Sequence, residues 1–248
     1  MKVCLAGTYA MTNENKDKIK ESKYILESFY YISEWQISYI KKMELFLLDS
    51  GAFTFMSNSK KKVVWDEYLE KYAEFINKYD IKNFFELDID AIVGIKEVER
   101  LRNKLEKLTN KKCIPVWHRS RGLEYWEKMT KEYDYVAIGG LAIKDIKKTE
   151  YKYMIPLLEI AKKNNCKVHG LGFTNLKEAY KYHFYSVDST SWKSGNRFGS
   201  LYKFENNELK IIKKPENKRM KSGEFYSKIE YWNFKEWCKY QKYADKYL

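Results

Sequence analysis

The chain has 248 residues, 44% of them hydrophobic and 17% aromatic, enough to bury a large core and to exclude a disordered polypeptide. Its 47 Lys and Arg against 34 Asp and Glu give a formal charge of +13, which suits a polyanionic partner and argues against an acidic one. No stretch approaches the ~20 apolar residues of a membrane span and no signal-like apolar region opens the chain, so a soluble cytoplasmic protein without a membrane partner is expected.

In chain order, short apolar runs alternate with longer segments of helical period, the pattern of parallel strands joined by crossover helices. Strands are expected at Lys2–Leu5, Leu45–Leu48, Phe84–Leu87, Cys113–Trp117, Tyr135–Ile138, Lys167–Leu171 and Tyr185–Val187. The region Asn13–Lys42 reads as two helices, with a restart at the capping residue Ser33. Val64–Tyr79 places Trp65, Tyr68, Leu69, Tyr72, Phe75 and Ile76 on one helical face, and Leu123–Tyr133 and Tyr151–Lys163 read similarly. An eighth strand falls at Ser200–Phe204 or Leu209–Ile212, although these runs around Glu205-Asn206-Asn207-Glu208 can instead pair as a hairpin. The basic, aromatic stretch Ser222–Leu248 reads as a terminal helix packing on the rest. These elements predict one (β/α)8 TIM-type barrel domain over 1–248, with 200–248 as a C-terminal extension.

Cys4, Cys113, Cys166 and Cys238 lie far apart with no Cys/His cluster at zinc-site spacing, so no metal is expected. The chemistry gathers elsewhere, immediately after the apolar runs. These places are Asp49-Ser50-Gly51-Ala52-Phe53, Glu86-Leu87-Asp88-Ile89-Asp90, His118-Arg119-Ser120, Gly139-Gly140-Leu141-Ala142, Gly170-Leu171-Gly172-Phe173 and Asp188-Ser189-Thr190-Ser191. In a barrel that rim carries the active site. An aspartate ending a buried strand costs free energy unless it is hydrogen-bonded or used. An Asp at a βα turn can also simply cap the next helix.

Asp49-Ser50-Gly51-Ala52-Phe53 resembles the Asp-Ser-Gly-Gly-Phe/Tyr segment of the tRNA-guanine transglycosylases. Gly139-Gly140-Leu141-Ala142 is similar to their Gly-Gly-Leu-Ala segment, and Val187-Asp188 to the strand end that bears their nucleophile. Asp88 falls where the family carries a base-recognising aspartate, His118 where it has a glutamine, and Gly170-Leu171-Gly172 where it has a Gly-Val-Gly-like turn. The segment from Trp192 to Gly199 loosely resembles an Arg/Asn/Gly-rich run of the family. The likeness spans roughly residues 44 to 199. The family's Cys-x-Cys-x-x-Cys zinc motif is missing, and the chain is shorter than the bacterial tRNA enzymes. Both departures favour the compact, often phage-encoded relatives that insert deazaguanines into DNA, working in a host cytoplasm.

The resemblance implies base exchange without a cofactor. Asp188 is the implied nucleophile at C1′ and Asp49 the implied general acid and base. Asp88 would accept from the purine N1–H and 2-amino group, with Asp90 a competing candidate of the same strand parity. Phe53 would stack on the base, Ser50, Gly51, Gly139, Gly140, Leu141 and Gly170 would shape the pocket, and His118 would touch base or sugar. Lys193 and Arg197 are the choices for phosphate contact. The expected partners are DNA in preference to tRNA and a free 7-deazaguanine-type base, with a partner protein or a second copy left open. The same carboxylates would serve a nucleoside or glycoside hydrolase, and a basic barrel could bind nucleic acid without turnover.

Overall fold

A computed structural model describes residues 1–51, 54, 63–173, 175–194, 200–212 and 224–248. Phe53 and Arg197 therefore lie outside the described residues, as does most of the segment following Lys193.

Seven parallel strands curl into one sheet: β1 (Lys2–Ala6), β2 (Tyr24–Ser28), β3 (Leu45–Asp49), β4 (Val116–Trp117), β5 (Tyr135–Ile138), β6 (Lys167–Gly170) and β7 (Ser186–Ser189). Their order is β3-β2-β1-β7-β6-β5-β4. The two ends of this order are joined through Phe84 and Phe85, which bridge in parallel to Leu48 on one side and to Ile114 on the other. The result is a TIM-type barrel whose last staves are short.

The alternation along each strand divides the core in two. Cys4, Ala6, Tyr24, Leu26, Leu45, Leu47, Phe85, Ile114, Val116 and Ala137 fill the barrel interior. The residues between them, such as Val3, Leu5, Ile25, Leu48, Ile138 and Val187, face the surrounding helices.

The helices are α1 (Glu34–Ile40), α2 (Trp65–Lys78), α3 (Asp90–Val93), α4 (Ile95–Thr109), α5 (Gly122–Glu132), α6 (Met154–Lys163) and α7 (Glu224–Tyr247). On α2, Leu69, Tyr72, Ala73 and Ile76 are buried at the spacing of one helical face. The restart at Ser33 is present: the Gln36 side chain takes the Ser33 N–H at 2.9 Å as α1 begins.

Two expectations are corrected. The first half of Asn13–Lys42 is not an α-helix; Asn13–Glu21 is 3-10 helix and Tyr24–Ser28 is a barrel strand. That strand escapes notice because its fourth residue is Glu27, a charge that reads as a helix surface but is 1% exposed. The run at 201–212 then supplies no barrel stave. Leu201–Glu205 (β8) and Glu208–Ile212 (β9) pair antiparallel, with Asn206 and Asn207 both at positive φ (52° and 63°), the geometry of a tight two-residue hairpin turn.

Helix α7 packs against β8 and under β1. Its Gln241 amide donates to the carbonyls of Val3 and Tyr24, at 2.8 and 3.0 Å, and accepts the Lys23 N–H at 2.8 Å. One buried side chain thus satisfies backbone groups at the N-terminal end of the barrel and leaves the opposite rim open. Among the described residues, no helix is long and apolar enough to cross a membrane.

Candidate active site

A cavity of about 300 Å³ opens at the C-terminal rim of the barrel, lined by Asp49, Asp88, His118, Gly139, Gly140 and Asp188 among others. Six residues chosen from five separate strand ends thus face one space. The remaining wall is largely apolar, with Ala6, Leu26, Ala142, Ile143 and Leu171, and Tyr9 and Tyr31 stand at its edge.

Asp49 ends β3, and its Oδ2 accepts the Gly51 N–H at 3.0 Å. Burial pushes its carboxyl up to about 7; the Gly51 hydrogen bond opposes the rise, and the charges of Asp88 and Asp188 add to it. Asp49 therefore carries a proton for a large share of the time near neutral pH. Asp188 lies one residue before the end of β7, and its Oδ1 accepts the Gly172 N–H at 2.7 Å and faces His169 Nε2 at 3.2 Å. Among the described residues Oδ2 of Asp188 has no such contact, and the side chain lines the cavity.

Asp88 Oδ1 lies 2.7 Å from His118 Nε2. Burial lowers the His118 pKa, but the hydrogen bond and charge of Asp88, helped by Asp90, outweigh it and leave the value raised. Asp90 turns away from the cavity and accepts from Arg121 Nε at 3.0 Å, which separates the two competing recognition candidates. Asp88, Asp90 and His118 also bring one ligand atom each within 4.8 Å of one another. The Arg121 guanidinium already lies against this cluster, 3.0 Å from Asp90 and 4.0 Å from Asp88, and supplies the positive charge a cation would bring.

Gly139 and Gly140 do form cavity wall. A Cβ on Gly139 would stand 2.5 Å from His118 Cε1, so the glycine makes room for the imidazole. Other expected residues lie behind the wall or in the outer layer. Ser50 is fully buried, with its carbonyl accepting from the Tyr68 hydroxyl at 2.6 Å. Gly51 has φ +81°, and a Cβ there would meet Tyr30 Cβ at 2.7 Å, so both residues shape the turn that presents Asp49. Leu141 points into the helix layer of the core. Gly170 packs against Phe184 and Phe173 on the outer face of β6; Leu171 and Gly172 reach the cavity in its place. Lys193 Nζ donates to the Gly7 carbonyl at 3.1 Å and lies 4.9 Å over the Tyr9 ring, behind the wall those two residues make.

The sequence reading missed two groups. Glu27 lines the cavity from β2; its Oε1 accepts the Thr8 N–H at 2.5 Å and the Thr8 hydroxyl, and Gln36 donates to that hydroxyl at 2.9 Å. Burial pushes its carboxyl up to about 7 against those hydrogen bonds and the charge of Lys193. His169 is the other, fully buried within β6. Both sit inside apolar runs rather than after them, and no local motif marks either.

No family model matches this sequence, and no curated protein does. Among solved structures the chain is similar to a GH113 beta-1,4-mannanase, with a TM-score of 0.42 and 12% identity, covering 69% of this chain and 71% of that one. At that degree of overlap the likeness carries nothing about chemistry.

Proposed function

We propose that this chain is a base-exchange transglycosylase, replacing guanine in a nucleic acid, DNA in preference to tRNA, with a 7-deazaguanine derivative through a covalent aspartyl-sugar intermediate. The observation that carries the reading is the pairing of two unlike carboxylates in one small cavity. Asp49 is held near the protonation midpoint at neutral pH, and Asp188 is anchored through one oxygen with the other open to the cavity.

Retaining glycosyl transfer uses such a pair, one group as acid and then base, the other as nucleophile. In the first step Asp188 Oδ2 bonds to C1′ while the C1′–N9 bond breaks; its electron pair goes to the purine, which takes the Asp49 proton. In the second step Asp49 recovers a proton from the incoming base, the base nitrogen bonds to C1′, and the ester oxygen leaves as the Asp188 carboxylate. Asp88 supplies an acceptor for the purine N1–H and 2-amino group, steadied by His118. The cavity volume of about 300 Å³ stands at the lower end of small-ligand sites, ~300–1,000 Å³, in keeping with one flipped nucleotide. The formal charge of +13 favours a polyanion.

The test is uptake of labelled guanine into single-stranded DNA, duplex DNA or tRNA, with Asp188→Ala and Asp49→Ala as controls. Uptake into DNA that both variants lose supports the proposal, and uptake into tRNA alone keeps the chemistry and moves the substrate. Release of guanine without uptake by any polymer would replace it with a hydrolase.

A further inference from the structure

The barrel interior below Asp188 is polar along one line. Tyr135 on β5, His169 on β6 and Ser186 with Asp188 on β7 sit on three neighbouring strands, with His169 in register with Ser186. Ser186 and Asp188, two residues apart on one strand, point to the same side. The imidazole stands upright between them, with Nδ1 2.5 Å from Ser186 Oγ and Nε2 3.2 Å from Asp188 Oδ1. Tyr135 Oη reaches the same Ser186 oxygen at 2.5 Å. His169 and Ser186 are both 0% exposed, and the Phe85 ring packs on the imidazole with centroids 5.3 Å apart.

These contacts have few consistent proton arrangements. As a carboxylate Asp188 only accepts, and its Oδ1 takes the Gly172 N–H at 2.7 Å, so Nε2 opposite is the donor. A singly protonated ring that donates from Nε2 accepts at Nδ1, so the Ser186 hydroxyl donates there. Ser186 has one proton, so Tyr135 must donate to its oxygen. The chain runs one way: Tyr135 to Ser186 to His169 to Asp188.

We propose that His169 is a positioning residue for Asp188, fixed as the Nε2–H tautomer by Ser186 and Tyr135, so that Oδ1 is tied down and Oδ2 is the oxygen offered to substrate. The assignment of Oδ2 as the attacking atom rests on the transglycosylase reading; the tautomer does not. The Nε2–H also acts unevenly on the two steps. When Oδ2 bonds to C1′, Oδ1 becomes an ester carbonyl oxygen, a weaker acceptor than a carboxylate oxygen. When the ester breaks, the charge returns and the hydrogen bond strengthens. His169 therefore assists the departure of Asp188 more than its attack, and keeps its own proton throughout.

The tautomer is read by long-range nitrogen–proton NMR on the full-length protein labelled in its three histidines, His118, His169 and His183. One ring should show a protonated Nε2 and a bare Nδ1; it should be missing in His169→Gln and lose its fixed pattern in Ser186→Ala. A protonated Nδ1 in the wild type would overturn the proposal. Kinetics on the polymer that takes up guanine form the second readout. His169→Leu should lower kcat by about tenfold to a hundredfold, the range for a hydrogen bond to a charged group, with KM within about twofold. The trapped sugar adduct should accumulate relative to wild type, and His169→Gln, whose amide can still donate to Oδ1, should recover part of the rate. A kcat for folded His169→Leu equal to wild type would remove the positioning role while leaving the exchange reading intact. The expected tautomer with no exchange in any polymer would keep the anchoring of Asp188 and discard the transglycosylase reading. Should His169→Leu fail to fold, Tyr135→Phe and Ser186→Ala carry the kinetic test, each expected to lower kcat several-fold at constant KM.

Discussion

His118 Nε2 lies 2.7 Å from Asp88 Oδ1 because Gly139, on the adjacent strand, has no side chain to occupy the place of the ring. A methyl group there would stand 2.5 Å from His118 Cε1 and 2.9 Å from Val116 Cγ1, and β5 is held by neighbours on both sides. Gly139→Ala should therefore move the imidazole off Asp88 and leave the barrel folded. Calorimetric titration with guanine should show binding weakened by about tenfold or more, the cost of disturbing a charge-assisted contact, with the far-ultraviolet dichroism unchanged.

The same pair predicts a pH dependence of stability. His118 has a raised folded-state pKa, so its contribution is complete below the ordinary histidine value near 6.5 and is lost as pH rises through the folded value. His118→Gln should lower Tm at pH 5.5 and match the wild type at pH 8.5. Equal losses at both pH values would show that the pair does not take up a proton on folding.

Asp49 and Glu27 act in the same sense over a lower pH window. Each is pushed up to about 7, from ordinary values of 3.8 and 4.5, chiefly by burial. The folded chain then binds more protons than the unfolded chain across that window, so stability falls as pH rises from about 4 through about 7. Asp49→Asn and Glu27→Gln should each flatten this fall. Only Asp49 donates to the leaving purine in the proposed reaction, so the rate should decline as pH rises through about 7 in wild type and in Glu27→Gln. In Asp49→Asn the rate should be lower by roughly 10²–10⁴-fold, with that limb absent.

Glu86 is fully buried between Arg102 and Arg121, with ion pairs of 3.2 and 3.0 Å, and its Oε1 also accepts the Val116 N–H at 2.8 Å. Removing its charge leaves two largely buried guanidinium groups facing one another's field and a strand N–H without its carboxylate. Glu86→Leu should cost about 3–5 kcal/mol, the usual loss when one partner of a buried pair is removed. Urea unfolding followed by fluorescence should show the midpoint shifted at unchanged slope.

Six of the barrel strands, β1, β3, β4, β5, β6 and β7, are legible from their short apolar runs, and the Asp, His and Gly residues that follow those runs do meet at one cavity. Local sequence could not show which residues of a motif face inward. Gly170 and Leu141 belong to motifs of the expected kind yet lie on the outer layer, Gly170 because strand parity is set by register with neighbours and Leu141 because it lies in the turn after β5. Glu27 and His169 were hidden for a related reason. A polar residue inside an apolar run is identified only by its partners, and here those are Thr8 for Glu27 and Ser186 and Asp188 for His169, 17 to 19 positions away and all on other elements.

The barrel closes through Phe84 and Phe85, and the join differs from the rest of the ring. Two backbone bonds hold Asn83 and Phe85 to Leu48, two hold Phe84 and Glu86 to Ile114, and the Tyr72 hydroxyl lies 3.0 and 3.1 Å from the carbonyls of Leu48 and Phe85. Beyond that point a carboxylate, Glu86, takes over the pairing that main chain provides elsewhere. Protection from solvent exchange follows the continuity of such ladders. In deuterium oxide the amide of Glu86 should therefore lose its proton earlier than those of Val3, Leu5 or Val187. The ring should breathe at this stave, next to the aspartates it carries to the rim, while the staves that hold Asp188 stay shut.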